Sequence, residues 1–358
     1  MSNYWMSPLA RDHAAAALAA ERSHVRLSTD RTERIDVFRI IEDAGVWLMF
    51  QPMRTLYGAF VRESEATGVL INGSHPLNLQ RFTAAHEYGH YILGHNSSID
   101  DEKHIEPFGQ DLSLSPEEAA AQTFAAYFLM PLQLVNITLL RMGLQTKPES
   151  LSSHQVYSLS LHLGVSYSAT VNHLLTLKKI GWAAAAELRR KQPKEIKREI
   201  SSELPLQDPW ADTWLLDERD ADRLIRPRVN DELHIRLPDI PSTGYIWTTA
   251  TEEVVDQRGN LSTERSIGAH LALVDDKFEL PAHSGESVPF GASGTHRFVF
   301  RTLRSGPCTL RLNRRRPWQP ETAPAETFTA KLQILTKQTG TSDRGLSERQ
   351  KPLLGLVA

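Results

Sequence analysis

The hydrophobic residues of this chain change their period part-way along, and that change limits the architecture more than any other feature. Up to about residue 190 they recur at helical spacing: Leu18 and Val25, then Ile35, Phe38 and Ile41. From about Arg223 the period is two. Leu233, Ile235 and Leu237 alternate with polar residues, and so do Cys308, Leu310 and Leu312, then Phe328, Ala330, Leu332 and Ile334. Residues three or four apart share a helix face, whereas alternate residues share a strand face, so one pattern cannot serve both structures. A mostly helical region must therefore precede a β-rich one. A length of 358 residues suits about two domains.

Within the first region, short strands are expected at Val46–Phe50, Leu56–Val61 and Gly68–Ile71, with a turn at Gly73–Pro76. A helix over Leu79–Leu93 ends before Gly94, and another opens at Ser115-Pro116 and is stopped by Pro131. Residues 191–222 are polar, charged and broken by Pro193 and Pro205, which predicts a linker. The β-rich region, punctuated by Gly and Pro, has the pattern of a sandwich or barrel. The polar stretch 338–358 is expected to be a disordered tail.

Charge and cysteine content narrow the functions. The formal net charge is −3, whereas proteins built to grip nucleic-acid phosphates are usually strongly basic. A single cysteine, Cys308, excludes an internal disulfide and any site needing several thiolates. The alanine-rich start, Met1 to Arg26, is interrupted by Arg11, Asp12, Glu21 and Arg22, so it lacks the apolar core of a signal peptide. No run approaches the roughly 20 apolar residues of a membrane span. The expectation is a cytoplasmic protein with no membrane partner.

The segment His86-Glu87-Tyr88-Gly89-His90 carries the most chemistry. Two histidines at i and i+4 lie on one helix face and can hold one metal ion side by side, while the glutamate after the first can take a proton from an attacking water. Phe82, Ala85, Gly89, Ile92 and Leu93 form an apolar stripe, so this is a core helix. Burying two imidazoles and a carboxylate there is costly unless they are paired or ligate something. The third ligand is open on spacing alone. His95 misses the HExxHxxGxxH pattern by one residue, and His75 and His104 sit in no motif. Glu118, on the next helix, would give the His₂Glu set of a gluzincin, with Glu117 a lesser alternative. Yet Ser115-Pro116-Glu117-Glu118 also reads as a capping box in which Glu118 merely caps its helix.

Residues Arg81 to His95, followed by Glu118 and then Phe124-Ala125-Ala126-Tyr127-Phe128-Leu129-Met130-Pro131, resemble the ImmA/IrrE family of metallopeptidases over about residues 30–185. Gln122 stands where that family usually has Asn, and Tyr127 where it often has Glu. The resemblance implies His86, His90 and Glu118 as metal ligands and Glu87 as catalytic base. It implies one Zn²⁺ per chain, with Mn²⁺ or Fe²⁺ as alternatives, and a protein substrate, a helix-turn-helix repressor. Tyr91, Tyr127 and His95 are candidates to face the developing oxyanion. The stretch Leu161–Ser166 followed by Ala169–Leu174 has a helix-turn-helix rhythm, but few basic residues accompany it, so it is expected to pack as a helical end of this domain and not to bind DNA directly.

Three loops mark the second region: Pro241-Ser242-Thr243-Gly244-Tyr245-Ile246-Trp247, Gly291-Ala292-Ser293-Gly294 and Arg316-Pro317-Trp318. In this order, over about 223–337, they resemble the chagasin-type inhibitors of papain-like cysteine peptidases, which are immunoglobulin-like sandwiches. That resemblance points to Thr243, Gly244, Tyr245, Gly291, Gly294, Arg316, Pro317 and Trp318 as contact residues and to a papain-like cysteine peptidase as partner. Ile240, Ser242 and Ser293 depart from the family's loop pattern. The resulting expectation is an α+β multidomain chain. A mostly helical zincin-like metallopeptidase domain occupies 1–190, a linker 191–222, an immunoglobulin-like β-sandwich 223–337 and a tail 338–358.

Overall fold

The structure is a computed structural model that describes residues 8–62, 67–96, 98–101, 115–146, 150–201, 208–255, 261–265, 269–280, 293–319 and 321–336. It divides into two compact units, 1–140 with 144–192 and 338–358, and 193–337 with 141–143. The tail predicted at 338–358 lies outside the described residues.

The first unit opens with α1 (Pro8–Arg26) and α2 (Val37–Asp43). Strands β1 (Trp47–Gln51), β2 (Leu56–Arg62) and β3 (Thr67–Asn72) follow, then α3 (Leu77–Leu93) and β4 (Ser98–Asp101). The sheet order is β1-β3-β2-β4, with β1 parallel to β3 and β2 antiparallel to both its neighbours. The predicted strands and the helix ending at Gly94 stand within a residue or two of their expected bounds, and β4 was not anticipated. Helices α4 (Pro116–Leu129), α5 (Leu132–Arg141), α6 (Ser153–Leu163), α7 (Tyr167–Thr176) and α8 (Trp182–Arg190) complete this unit. Helix α7 is buried at Tyr167 and from Ala169 through Leu174, so it packs as an internal helix.

Helix α4 is held at both ends. Ser115 Oγ accepts from the Glu118 backbone N–H at 3.2 Å. At the other end the carbonyls left over by helix termination need partners. His24 Nε2 meets the Phe128 carbonyl at 2.9 Å, and His173 Nε2 meets that of Met130 at 2.9 Å. His24 also stacks on Phe128. Both imidazoles are buried, and burial lowers the pKa of each against the opposing pull of the carbonyl.

The second unit corrects the linker expected at 191–222. That stretch contains α9 (Pro193–Ser201) and β5 (Thr213–Asp217). The helix buries Ile196 and Ile200, one turn apart, which a mostly charged segment hides from a composition count. Lys197 reads as a solvated charge but is itself buried. It donates to the Ala211 carbonyl at 2.7 Å and lies 3.8 Å from Asp212.

Strands β6 (Leu224–Ile225), β7 (Glu232–Asp239), β8 (Ile246–Val255), β9 (Leu261–Arg265), β10 (Leu271–Glu279), β11 (Gly294–Thr302), β12 (Gly306–Arg315) and β13 (Glu326–Ile334) follow. They form two sheets, β10-β11-β7-β5 and β6-β13-β12-β8-β9. The period-two residues are the buried ones. In the β12–β13 pair, Cys308 opposes Leu332, Leu310 opposes Ala330 and Leu312 opposes Phe328, so a single apolar face forms across the register. Among the described residues, no single helix is long and apolar enough to cross a membrane.

His173 gives the first unit a measurable acid sensitivity. Burial lowers its pKa from 6.5 to about 4. Above pH 6.5 this residue is neutral in both the folded and the unfolded chain. Between 6.5 and 4 only the unfolded chain takes the proton, so stability falls with pH. By linkage the loss levels off near about 3 kcal/mol below pH 4. Denaturant unfolding of wild type and His173→Gln from pH 7.5 to 4 should show a shallower slope in the variant; equal slopes would place the sensitivity elsewhere.

Candidate metal centre

The sequence places His86 and His90 on α3 one turn apart, and the fold decides what they face. Gly89 lies where α3 meets α4. A Cβ there would come within 3.0 Å of Phe124 Cδ1 and 3.3 Å of the Ala121 carbonyl. The missing side chain lets the helices approach closely, and one turn before Ala121 the second helix carries Glu118. The result is a convergent cluster. His86 Nε2 is 3.0 Å from Glu118 Oε2, His90 Nε2 is 3.4 Å from Glu118 Oε1, and the two Nε2 atoms are 3.1 Å apart. Ligand atoms from all three lie within 4.8 Å of one another.

Glu118 does both jobs that the sequence set against each other. Its backbone N–H is capped by Ser115, while its carboxylate turns to the two imidazoles. The cap uses a main-chain donor and the cluster uses side-chain acceptors, so they do not compete. Burial alone would raise the Glu118 pKa, but the hydrogen bonds and charges of His86 and His90 outweigh it and hold the carboxyl well below the usual carboxylate range. Glu117, the lesser alternative, is exposed.

Two buried imidazoles and an ionised carboxylate aimed at one point are costly to bury apart from a partner. Two ring nitrogens 3.1 Å apart cannot both be protonated toward each other, so at least one presents a lone pair to the cluster. Two imidazoles and a carboxylate are a donor set that can hold a divalent metal ion.

Glu87 lies about 100° further round α3 than His86, since a helix turns once in 3.6 residues. It is fully buried, and its helix face lies against β2. A Cβ at Gly58 would reach 2.8 Å from Glu87 Oε1 and 2.5 Å from Thr83 Cγ2. One turn on, Tyr91 packs edge-on to Phe60, and Arg62 Nη2 donates to the Tyr91 carbonyl at 3.0 Å. Thr83, Glu87 and Tyr91 thus form the stripe that rests on Gly58, Phe60 and Arg62. The signal for this contact is Gly58 itself, since an isolated glycine inside a strand pattern marks a close backbone approach.

The remaining candidates separate. Tyr127 lies nine positions after Glu118, about 13 Å along the helix, and its ring packs edge-on against His173. It is too far along the helix to serve this cluster. His75 sits beside Asn72 and Tyr57 and is not among the three convergent ligands. His104 lies outside the described residues. His95 Nδ1 is 2.9 Å from His90 Nδ1, on the ring nitrogen that faces away from Glu118. Burial, then the neighbouring His90, lowers the His95 pKa.

In the second unit, two of the three marked loops meet although they are far apart in sequence. The first is a short 3₁₀ turn at Pro241–Thr243, closed by Thr243 Oγ1 donating to the Ile240 carbonyl at 2.7 Å. Trp318, 64% exposed, lies over Gly244, where a Cβ would stand 2.7 Å from the indole. The Arg316 guanidinium lies 4.7 Å above the Tyr245 ring. Pro317 is exposed between them. Gly294 opens β11 opposite Asp239, the last residue of β7 before the first loop. Gly291 lies outside the described residues. Beneath the loops, Asp239 joins their roots: its carboxylate is 3.2 Å from His296 Nδ1 on β11 and 3.5 Å from Arg314 Nε on β12.

The approach at Gly58 is testable without an assay of function. Gly58→Ala should destabilise the chain by about 1–3 kcal/mol through overpacking against Thr83 and Glu87. Metal stoichiometry should stay as in wild type, because the atoms nearest the added methyl belong to Thr83, Glu87 and Leu70 and to none of the three ligands. An unfolding midpoint equal to that of wild type would show that the strand yields there at no cost.

Residues 41–175 match the model of the IrrE N-terminal-like domain, and residues 226–332 match that of the chagasin family peptidase inhibitor I42. A comparison with curated proteins finds no match. Among solved structures, the chain is similar to the cysteine protease inhibitor EhICP2 from Entamoeba histolytica. The identity is 21% over 36% of this chain and 99% of that one, with a TM-score of 0.26. Leishmania mexicana ICP is 24% identical over 37% of this chain and 93% of that one, with a TM-score of 0.22. The structure of PbICP-C in complex with falcipain-2 is 16% identical over 35% and 91%, with a TM-score of 0.22. The chain thus carries two family segments in series, an IrrE N-terminal-like domain at 41–175 and a chagasin-family inhibitor-like segment at 226–332.

Proposed function

We propose that the first unit is a zinc-dependent endopeptidase of zincin-like fold, acting on a protein substrate. The observation that carries this reading is the convergence of His86, His90 and Glu118, with the buried Glu87 next to His86 on the same helix. Both histidines present Nε2 and Glu118 presents its carboxylate oxygens, so these three would hold the ion. Zinc in such a site supplies Lewis acidity that makes water a nucleophile at neutral pH and polarises a carbonyl. Glu87 takes the proton of the attacking water and returns it to the leaving amine, the ordinary work of a positioned carboxylate. The apolar packing of α3 on β2 and α4 keeps Glu87 in one place while it does so. The resemblance to the ImmA/IrrE family supports a helix-turn-helix repressor as the substrate, and the interrupted alanine-rich start supports a cytoplasmic setting.

The second unit is an immunoglobulin-like sandwich that binds another protein through its loop cluster. Trp318 and Pro317 give that end an exposed apolar tip, backed by Arg316 over Tyr245. A papain-like cysteine peptidase is the partner this reading favours, since residues 226–332 match the chagasin family peptidase inhibitor model and the loops resemble those of that family. A second reading makes the metal site structural and leaves all function to these loops.

Two substitutions separate the readings. Glu87→Gln should keep stoichiometric metal and lower cleavage of a co-expressed repressor by roughly 10²–10⁴-fold, the usual cost of removing a general base. Glu118→Ala should lose metal by mass spectrometry. Cleavage by Glu87→Gln at the wild-type rate would end the enzymatic reading, and full metal content in Glu118→Ala would move the third ligand elsewhere.

A further inference from the structure

His95 touches one of the three convergent residues without joining the ligand set. Helix α3 ends at Leu93, and Gly94 follows in the left-handed conformation, φ 79 and ψ 21. The His95 N–H then donates to the His90 carbonyl at 3.0 Å and the Gly94 N–H to that of Tyr91 at 3.4 Å. These are the paired 6→1 and 5→2 bonds of a Schellman ending, which folds the second residue past the helix back over the residue five before it. In many helices that contact is apolar. Here it joins two imidazoles, with His95 Nδ1 2.9 Å from His90 Nδ1 and the rings 4.9 Å apart, edge to face.

A short contact between two ring nitrogens contains one proton, given by one ring and accepted by the other. His90 turns Nε2 toward His86 and Glu118. A histidine that ligates through Nε2 offers its lone pair there and carries its proton on Nδ1, so the donor is His90 and the acceptor is His95 Nδ1. Ligating histidines commonly donate their second N–H to a carboxylate or a carbonyl, which fixes ring and tautomer. In this chain another imidazole fills that role.

We propose that His95 is a positioning residue for the metal centre, accepting the His90 Nδ1–H and so holding His90 with its Nε2 lone pair toward His86 and Glu118. This rests on the metal-binding reading above. The helix ending at Gly94 is what brings the second imidazole to the first.

The test compares zinc affinity of the full-length chain, by competition with a chromophoric chelator, in wild type, His95→Phe and His95→Asn. Phenylalanine keeps the ring's bulk and removes the acceptor, whereas asparagine puts an oxygen near the place of Nδ1. His95→Phe should bind zinc roughly 10–100-fold more weakly, the usual cost of losing such a partner. His95→Asn should stay within a few-fold of wild type. Nitrogen-15 spectra of the zinc-loaded chain should show His90 protonated at Nδ1 in wild type and in His95→Asn. Wild-type affinity in a folded His95→Phe, equal losses in both variants, or a His90 protonated elsewhere would each overturn the assignment while leaving the metal site standing. Failure of wild type to bind zinc would remove the metal reading and this inference together.

Discussion

The close packing of α3 against α4 is the contact on which the rest of the first unit depends. Gly89 leaves no side chain between the helices, so Phe124 and the Ala121 carbonyl come up against the α3 backbone. That approach turns two histidines on one helix and a carboxylate on another into one cluster. It also explains why α4 is tied so firmly. Ser115 caps its start, while His24 and His173 take carbonyls at its end, so a shift of Glu118 along the helix axis would break hydrogen bonds at both termini. The two buried imidazoles at the far end do structural work and the two at the near end face the carboxylate, although all four are histidines on core helices.

The second unit solves a different problem, bringing together loops that are far apart in sequence. Asp239, His296 and Arg314 lie at the roots of the three marked segments, on β7, β11 and β12. At the tips, the Trp318 indole covers Gly244 and the Arg316 guanidinium covers Tyr245. Side chains with flat faces are well suited to this, since a ring and a guanidinium bury area while keeping polar edges in water.

Much of this was legible in the chain. The His-Glu-x-x-His spacing, the Ser-Pro start of α4, the left-handed Gly94 and the period-two residues of β7, β12 and β13 all stand where the sequence put them. Other features were hidden. Helix α9 has the composition of a linker because its two buried isoleucines are scattered among charges, and only the fold directs Lys197 to backbone carbonyls. Gly58 looked like any glycine in a strand. The competition between a cap and a ligand at Glu118 dissolved once main chain and side chain could be assigned separate partners.

By itself the sequence determined what is local. Helical and strand periods, caps and the helix ending depend on residues a few positions apart, and so the placing of His86 and His90 on one helix face was already contained in their spacing. Only the tertiary structure decided which carboxylate faces the histidines, that Glu87 rests on the backbone of Gly58, and that Gly244 lies beneath Trp318. Those pairs are separated by tens of residues, and no local period links them. They are chosen by which faces pack, because the burial of apolar surface that drives the choice is summed over the whole core and is not written at any one position.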